Sequence, residues 1–98
     1  MDTAIANKAL DLAMAWGADW LKPTQPRLKV LYPALSDKQL DEYDAVAQAA
    51  MVCGFKHMYD APNCEIERCA VAVRDRFPWV SDENISRLHS QGMYYAMK

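Results

Sequence analysis

The sequence contains few cysteines, no long apolar stretch and no strong excess of one charge. Its 3 cysteines cannot all pair within one molecule. No apolar run approaches the roughly 20 residues that a membrane-spanning helix needs. The first residues, Met1-Asp2-Thr3, lack the basic region and apolar core of a secretory signal. We therefore expect a cytoplasmic protein with no membrane span.

Catalytic motifs are absent as well. The chain contains no P-loop, no glycine-rich dinucleotide turn, no G-x-S-x-G and no H-E-x-x-H. A nucleophile pair of Cys53 and His57 can be written down, because a thiolate needs an adjacent base. Reactive cysteines, however, lie in electropositive and partly exposed places, whereas Cys53 falls in the most apolar segment. We predict no enzymatic activity, no catalytic residue and no cofactor.

A zinc site is the other chemistry that these residue types could support. Cys53, His57, Cys64 and Cys69 supply four possible ligands. Zinc modules draw paired ligands from tight turns such as C-x2-C, whereas Cys64 and Cys69 are five residues apart and diverge by about 140° on a helix. We predict that no metal binds and that His89 is a hydrogen-bonded core histidine.

The composition that is present favours one helical domain over residues 1–98. Hydrophobic residues make up 52% of the chain and charged residues 24%, which excludes disorder, and this length buries a sufficient core without metal or disulfides. Apolar periodicity predicts an all-α, compact single domain of four helices at about residues 3–21, 37–59, 64–76 and 82–97. A proline-rich connector, residues 22–35, is predicted to be an ordered loop between the first two.

Two short segments resemble each other and mark helix starts. Residues 32–40 and 77–85 both run from an aromatic residue and a proline to a Ser-Asp pair. Ser36 and Ser81 are placed to cap helices, and Gln39 completes a capping box with Ser36. Convergent helix-start chemistry explains the recurrence better than duplication, although the sequence leaves both open.

Two of the predicted helices have unusually wide apolar surfaces. In the second, Gln48 is the only polar residue from Ala45 to Phe55, and a helix that is apolar all round is predicted to be buried. In the first, one apolar stripe is expected to face the core: Ile5, Ala9, Leu12, Trp16 and Trp20. A second apolar side consists of Leu10, Met14, Gly17 and Leu21. This side either packs on a further part of the same chain or forms a homo-oligomer interface.

A protein partner is the function that these features favour. Asp37, Asp41 and Asp44 share a face at the start of the second predicted helix. They form a solvated face, an acidic docking patch, as in a small regulator, inhibitor or immunity-type protein, or, as the third alternative, a divalent-cation site. Tyr94 beside Arg87 has a composition common in interfaces. The sequence thus predicts a non-enzymatic protein-interaction module that self-associates.

A helix-turn-helix nucleic-acid-binding regulator is the alternative. The fourth predicted helix would then read bases with Arg87, His89, Gln91 and Lys98. A formal net charge of −2 opposes this hypothesis, because phosphate binding needs a basic footprint. Local patches can override net charge, and the arginines of the third predicted helix keep the alternative open.

Overall fold

A computed structural model describes residues 1–15 and 23–97 of the chain. This part contains five α-helices and no strand. The helices are α1 (Thr3–Ala13), α2 (Thr24–Leu31), α3 (Asp37–Asp60), α4 (Ile66–Arg76) and α5 (Asp82–Ala96). The all-α prediction is confirmed, and the predicted number of four helices is wrong. Among the described residues, no helix is both long and apolar enough to cross a membrane.

The additional helix, α2, lies in the connector that we predicted to be a loop. Its prolines delimit the helix instead of preventing it, since Pro23 is the N-cap and Pro26 lies in the first turn. A proline there loses no intrahelical hydrogen bond, because the first N–H groups of a helix have no partner. Pro33 follows the C-cap, Tyr32, and Leu28 anchors the helix with a fully buried side chain.

Both predicted serine caps are present. The Ser36 hydroxyl accepts a hydrogen bond from the Gln39 backbone N–H at 3.1 Å, and Gln39 Oε1 accepts one from the Ser36 N–H at 2.9 Å. Ser81 accepts from the Asn84 N–H at 3.2 Å. Each serine thereby satisfies an otherwise unpaired donor, which explains why α3 and α5 begin at Asp37 and Asp82.

The helix α3 is the centre of the fold and contacts all four of the other helices. Its closest neighbour is α5, which runs parallel to it, since Gly54 faces Leu88 and Gly92 faces Met58. A Cβ atom placed on Gly92 would lie 2.7 Å from the Met58 Cβ atom. The glycines therefore permit the close helix approach that their position inside helices indicates.

The short helix α1 is covered on both of its apolar sides. Leu10 is 0% exposed and Met14 is 3% exposed, because α1 packs against α2, α3 and α5. Leu10 and Met14 of the second apolar side therefore face the core. For these two residues, packing on a further part of the same chain is the correct alternative. Gly17 and Leu21, with Trp16 and Trp20, lie outside the described residues.

Polar side chains hold the end of α1 against α5. Arg87 pairs with the Asp11 carboxylate, and its Nη2 donates to the Met14 carbonyl oxygen at 2.8 Å. Gln91 donates to the same oxygen at 3.1 Å, and Arg27 donates to the Leu12 carbonyl oxygen at 2.9 Å. These bonds engage carbonyl groups at the C-terminal end of α1, where the pattern of intrahelical hydrogen bonds ends; the Leu12 carbonyl oxygen also accepts from the Ala15 N–H at 3.2 Å.

Candidate functional site

The outward side of α3 carries a row of exposed residues along almost the whole helix. Seven residues spaced alternately four and three apart form this row, and all seven are exposed: Lys38, Glu42, Ala45, Ala49, Val52, Lys56 and Tyr59. We call it the outer stripe. The prediction that this helix is buried all round is therefore wrong. Its neighbours cover the opposite side, while the middle of the outer stripe remains both apolar and exposed.

A shallow groove runs beside the C-terminal half of the outer stripe. It is lined by Val52, Phe55, Lys56 and Tyr59 of α3 and by Gly92, Tyr95 and Ala96 of α5. Val52 is 60% exposed and Tyr59 is 72% exposed. The ring of Phe55 packs edge-on against that of Tyr95, with centroids 5.6 Å apart. Exposed apolar area of this kind is typical of an interaction surface.

The predicted partner-binding carboxylates do not form one open patch. Asp37 and Asp41 are exposed, whereas Asp44 is half-buried. The Asp44 carboxylate accepts hydrogen bonds from Gln25 Nε2 at 3.1 Å and from Gln48 Nε2 at 3.5 Å. Asp44 thus links α2 to α3, while Asp37 lies in the first turn of α3, where the helix dipole favours negative charge.

Tyr94, the other predicted partner-binding residue, lines a separate shallow hollow of α5 with Arg87, Ser90 and Gln91. Its side chain is 53% exposed, and its ring centroid is 5.7 Å from that of Tyr95. An amphipathic ring in this position can contribute contact area and a hydroxyl group to a partner. Tyr94 therefore adjoins the groove only through its ring contact with Tyr95.

The cysteine and histidine side chains belong to the fold. Cys69 is fully buried, Cys53 and Cys64 are half-buried, and all three are free thiols. The Cys64 Sγ atom lies 3.5 Å from the Met58 Sδ atom. In residues 1–15 and 23–97, no three His, Cys, Asp or Glu side chains are grouped so as to hold a metal ion.

The two histidines differ in their hydrogen bonding. His89 Nε2 lies 2.9 Å from the Cys64 carbonyl oxygen, as expected of a hydrogen-bonded core histidine. His57 Nε2 is buried without a hydrogen-bond partner. Cys53 and His57 lie one turn apart on α3, and both residues are half-buried.

The Cys69 thiol is expected to make stability depend on pH. Burial, and then the neighbouring Cys64 and Cys53 thiols, raise the pKa of Cys69 from 9.0 to about 11. Between these values the folded chain retains a proton that the unfolded chain loses, so the free energy of unfolding falls as pH rises. Urea titrations at pH values from about 8 to about 11 should show a shallower fall in Cys69→Ala than in wild type. Identical slopes would contradict this assignment.

Three of the four residues proposed to read nucleic acid form hydrogen bonds within the molecule. Arg87 and Gln91 bind carbonyl oxygens at the end of α1, and His89 binds the Cys64 carbonyl group. Arg74 is likewise engaged, with the Asp82 carboxylate at 2.8 Å and the Val80 carbonyl oxygen at 2.9 Å. Lys98 lies outside the described residues. The described part of α5 therefore does not present these side chains as a base-reading surface.

A second hollow lies between the end of α1 and α3. Its polar lining includes Asp44, Gln48 and Gln91, which all take part in the hydrogen bonds given above. Ala15 and Pro23 form part of its rim, and residues 16–22, which join them, are outside the described range. The described lining supplies structural hydrogen bonds and no paired acid and base.

Comparisons with protein-family models, with curated proteins and with solved structures gave no match. The proposed function therefore rests on the geometry of the described residues. Sequence reasoning missed the groove residues Val52, Phe55, Tyr59 and Tyr95. A signal for Val52 and Tyr59 exists in the alternating spacing of the outer stripe. Phe55 and Tyr95 lie outside that pattern.

Proposed function

We propose that this protein is a non-enzymatic interaction module that self-associates through the outer stripe of α3 and the adjoining groove. The observation that carries the proposal is the exposed apolar area around Val52, which is 60% exposed, and Tyr59, which is 72% exposed. Removing such apolar area from water favours association with a partner. This location replaces the interface first predicted at Leu10 and Met14, whose side chains are in the core.

The spacing of the outer stripe supports a helical partner. Apolar positions that alternate four and three residues apart form the contact line of paired helices. Ala45 and Ala49 are small and exposed, so the backbone of a second helix can approach closely at the middle of α3. A second copy of the chain offers the same stripe, and two-fold symmetry lets one surface cover itself.

A pair of matched substitutions tests this function. Val52→Glu places a charge in the proposed contact, whereas Val71→Glu places the same charge on α4 at a side chain that is 73% exposed. We expect wild type and Val71→Glu to sediment as dimers at micromolar concentration. Val52→Glu should dissociate at least about tenfold more readily, since desolvating an unpaired carboxylate opposes association.

Circular dichroism provides the control for folding, because both substituted side chains are exposed and the helical signal should be unchanged. Wild type that remains monomeric throughout the micromolar range would refute self-association. A dimer of Val52→Glu as strong as that of wild type would refute the location of the contact.

A further inference from the structure

We infer that two copies pair their α3 helices in an antiparallel arrangement about a two-fold axis at Ala49. This inference rests on the proposed function and specifies the partner and its register. Four charged residues flank the apolar middle of α3, and all four are exposed: Lys38, Glu42, Lys56 and Asp60. Their positions and signs determine which arrangement of two α3 helices is electrostatically favourable.

The four charges are placed symmetrically around Ala49. Glu42 precedes Ala49 by seven residues and Lys56 follows it by seven. Lys38 precedes Ala49 by eleven residues and Asp60 follows it by eleven. At 100° per residue, each of these residues lies within about 20° of Ala49 around the helix axis. They therefore share one face of α3 with the centre of the stripe.

An antiparallel pair brings opposite charges together. With the axis at Ala49, Glu42 lies opposite Lys56 of the partner subunit. Lys38 then lies opposite Asp60 of the partner subunit. Symmetry repeats both contacts, so the dimer has four complementary charge pairs around one apolar centre.

A parallel pair has the opposite electrostatics. Each residue would then face the same residue of the partner subunit, so that Glu42 lies opposite a glutamate and Lys56 opposite a lysine. Like charges at such short range disfavour a pairing. The signs of these four charges thus select the antiparallel direction, although both directions bury the same apolar side chains.

The centre of the stripe suits this geometry. Ala49 faces its own copy at the axis, and Ala45 is the next exposed residue of the stripe. At a crossing angle of about 20°, helices separated by about 8–10 Å remain near each other over several turns. Glu42 and Lys56 lie about 10 Å along the helix from the axis, within reach of such a contact.

The groove completes the contact on each side. It adjoins the C-terminal half of α3, at Val52 and Tyr59. In the antiparallel arrangement the N-terminal half of the partner's α3 passes over this region. The apolar lining from α5, including Tyr95, therefore extends the contact beyond the single helix pair.

Charge reversal tests the register. Glu42→Lys and Lys56→Glu each replace two attractive contacts with two repulsive ones. We expect each single variant to raise the dimer dissociation constant about ten- to thirtyfold. The double variant restores opposite charges and should return to within about threefold of wild type. Sedimentation equilibrium measures all four dissociation constants.

Two charge reversals on α4 control for the change in net charge. Glu67→Lys and Arg68→Glu alter exposed residues away from the outer stripe, so their dimers should match wild type. Single Glu42 and Lys56 variants that also match wild type would overturn the antiparallel register, as would a double variant weaker than both single ones. These failures are distinct from failure of the proposed function, in which wild type itself stays monomeric.

Discussion

Met14→Lys is expected to destabilise the folded protein strongly. The Met14 side chain is 3% exposed and belongs to the hydrophobic core, so a lysine there would place an ammonium group among buried apolar side chains. An unpaired buried charge costs about 3–5 kcal/mol. A domain of this size has a total stability of about 5–15 kcal/mol. The substitution therefore removes a large part of the stability.

The position of Met14 adds a second penalty. Its carbonyl oxygen accepts hydrogen bonds from Arg87 at 2.8 Å and from Gln91 at 3.1 Å. A shift of the chain at Met14 that accommodates the lysine would also disturb these two bonds. Both effects act on the contact between α1 and α5.

Thermal unfolding followed by circular dichroism measures the effect. Met97→Lys is the matched control, because Met97 is 67% exposed at the end of α5 and should tolerate the same change. If Met14→Lys instead remained helical with the melting temperature of wild type, the side chain would have to face solvent. That result would support the original hypothesis of an interface on the first helix.

Local signals in the sequence predicted the helix starts well. Ser36 and Ser81 cap their helices through hydrogen bonds to residues only three positions away, so a short segment contains all of the chemistry. Local signals mispredict the connector, because a proline such as Pro26 fits both a loop and the first turn of a helix. Pro26 lies in the first turn because α2 begins at Thr24. The packing of Leu28 in the core determines that start.

The burial of the apolar surfaces could not be predicted from periodicity. Two helices had more apolar surface than one neighbour can cover, and the sequence does not say which of them is enclosed. The structure encloses Leu10 of α1 and exposes Val52 of α3. That choice depends on contacts between distant segments, such as the bond from Asn84 Nδ2 to the Asn7 carbonyl oxygen at 2.9 Å.

Of the interface residues predicted on the first helix, Leu10 and Met14 are buried, and self-association stays a prediction. An exposed apolar helix face for a second copy remains our proposal, and it has moved from the first helix to the outer stripe of α3. The charges there, including Glu42 and Lys56, are visible in the sequence. Their symmetry around Ala49 becomes meaningful only when the structure shows that this side of the helix is exposed.

Gly92→Ala is expected to destabilise the protein, which is the opposite of what helix propensity alone predicts. Within a helix, alanine is favoured over glycine by about 1 kcal/mol. In the structure, however, the new Cβ atom would lie 2.7 Å from the Met58 Cβ atom and 2.8 Å from its Cγ atom. These atoms are close to the α3 backbone and cannot move aside without shifting the helix. The sign of the change in stability therefore tests the packing of α3 against α5 directly.

We expect Gly92→Ala to lower the free energy of unfolding by about 1–3 kcal/mol, the usual cost of overpacking a core. Gly54→Ala provides a graded comparison, because its nearest contacts, 3.0–3.2 Å away, are with the Leu88 side chain alone. Rotation of that side chain relieves part of the strain, so its loss should be smaller. Urea titration measures both variants. A Gly92→Ala protein more stable than wild type would mean that α5 lies farther from Met58 than described, and the groove between the two helices would then have a different shape.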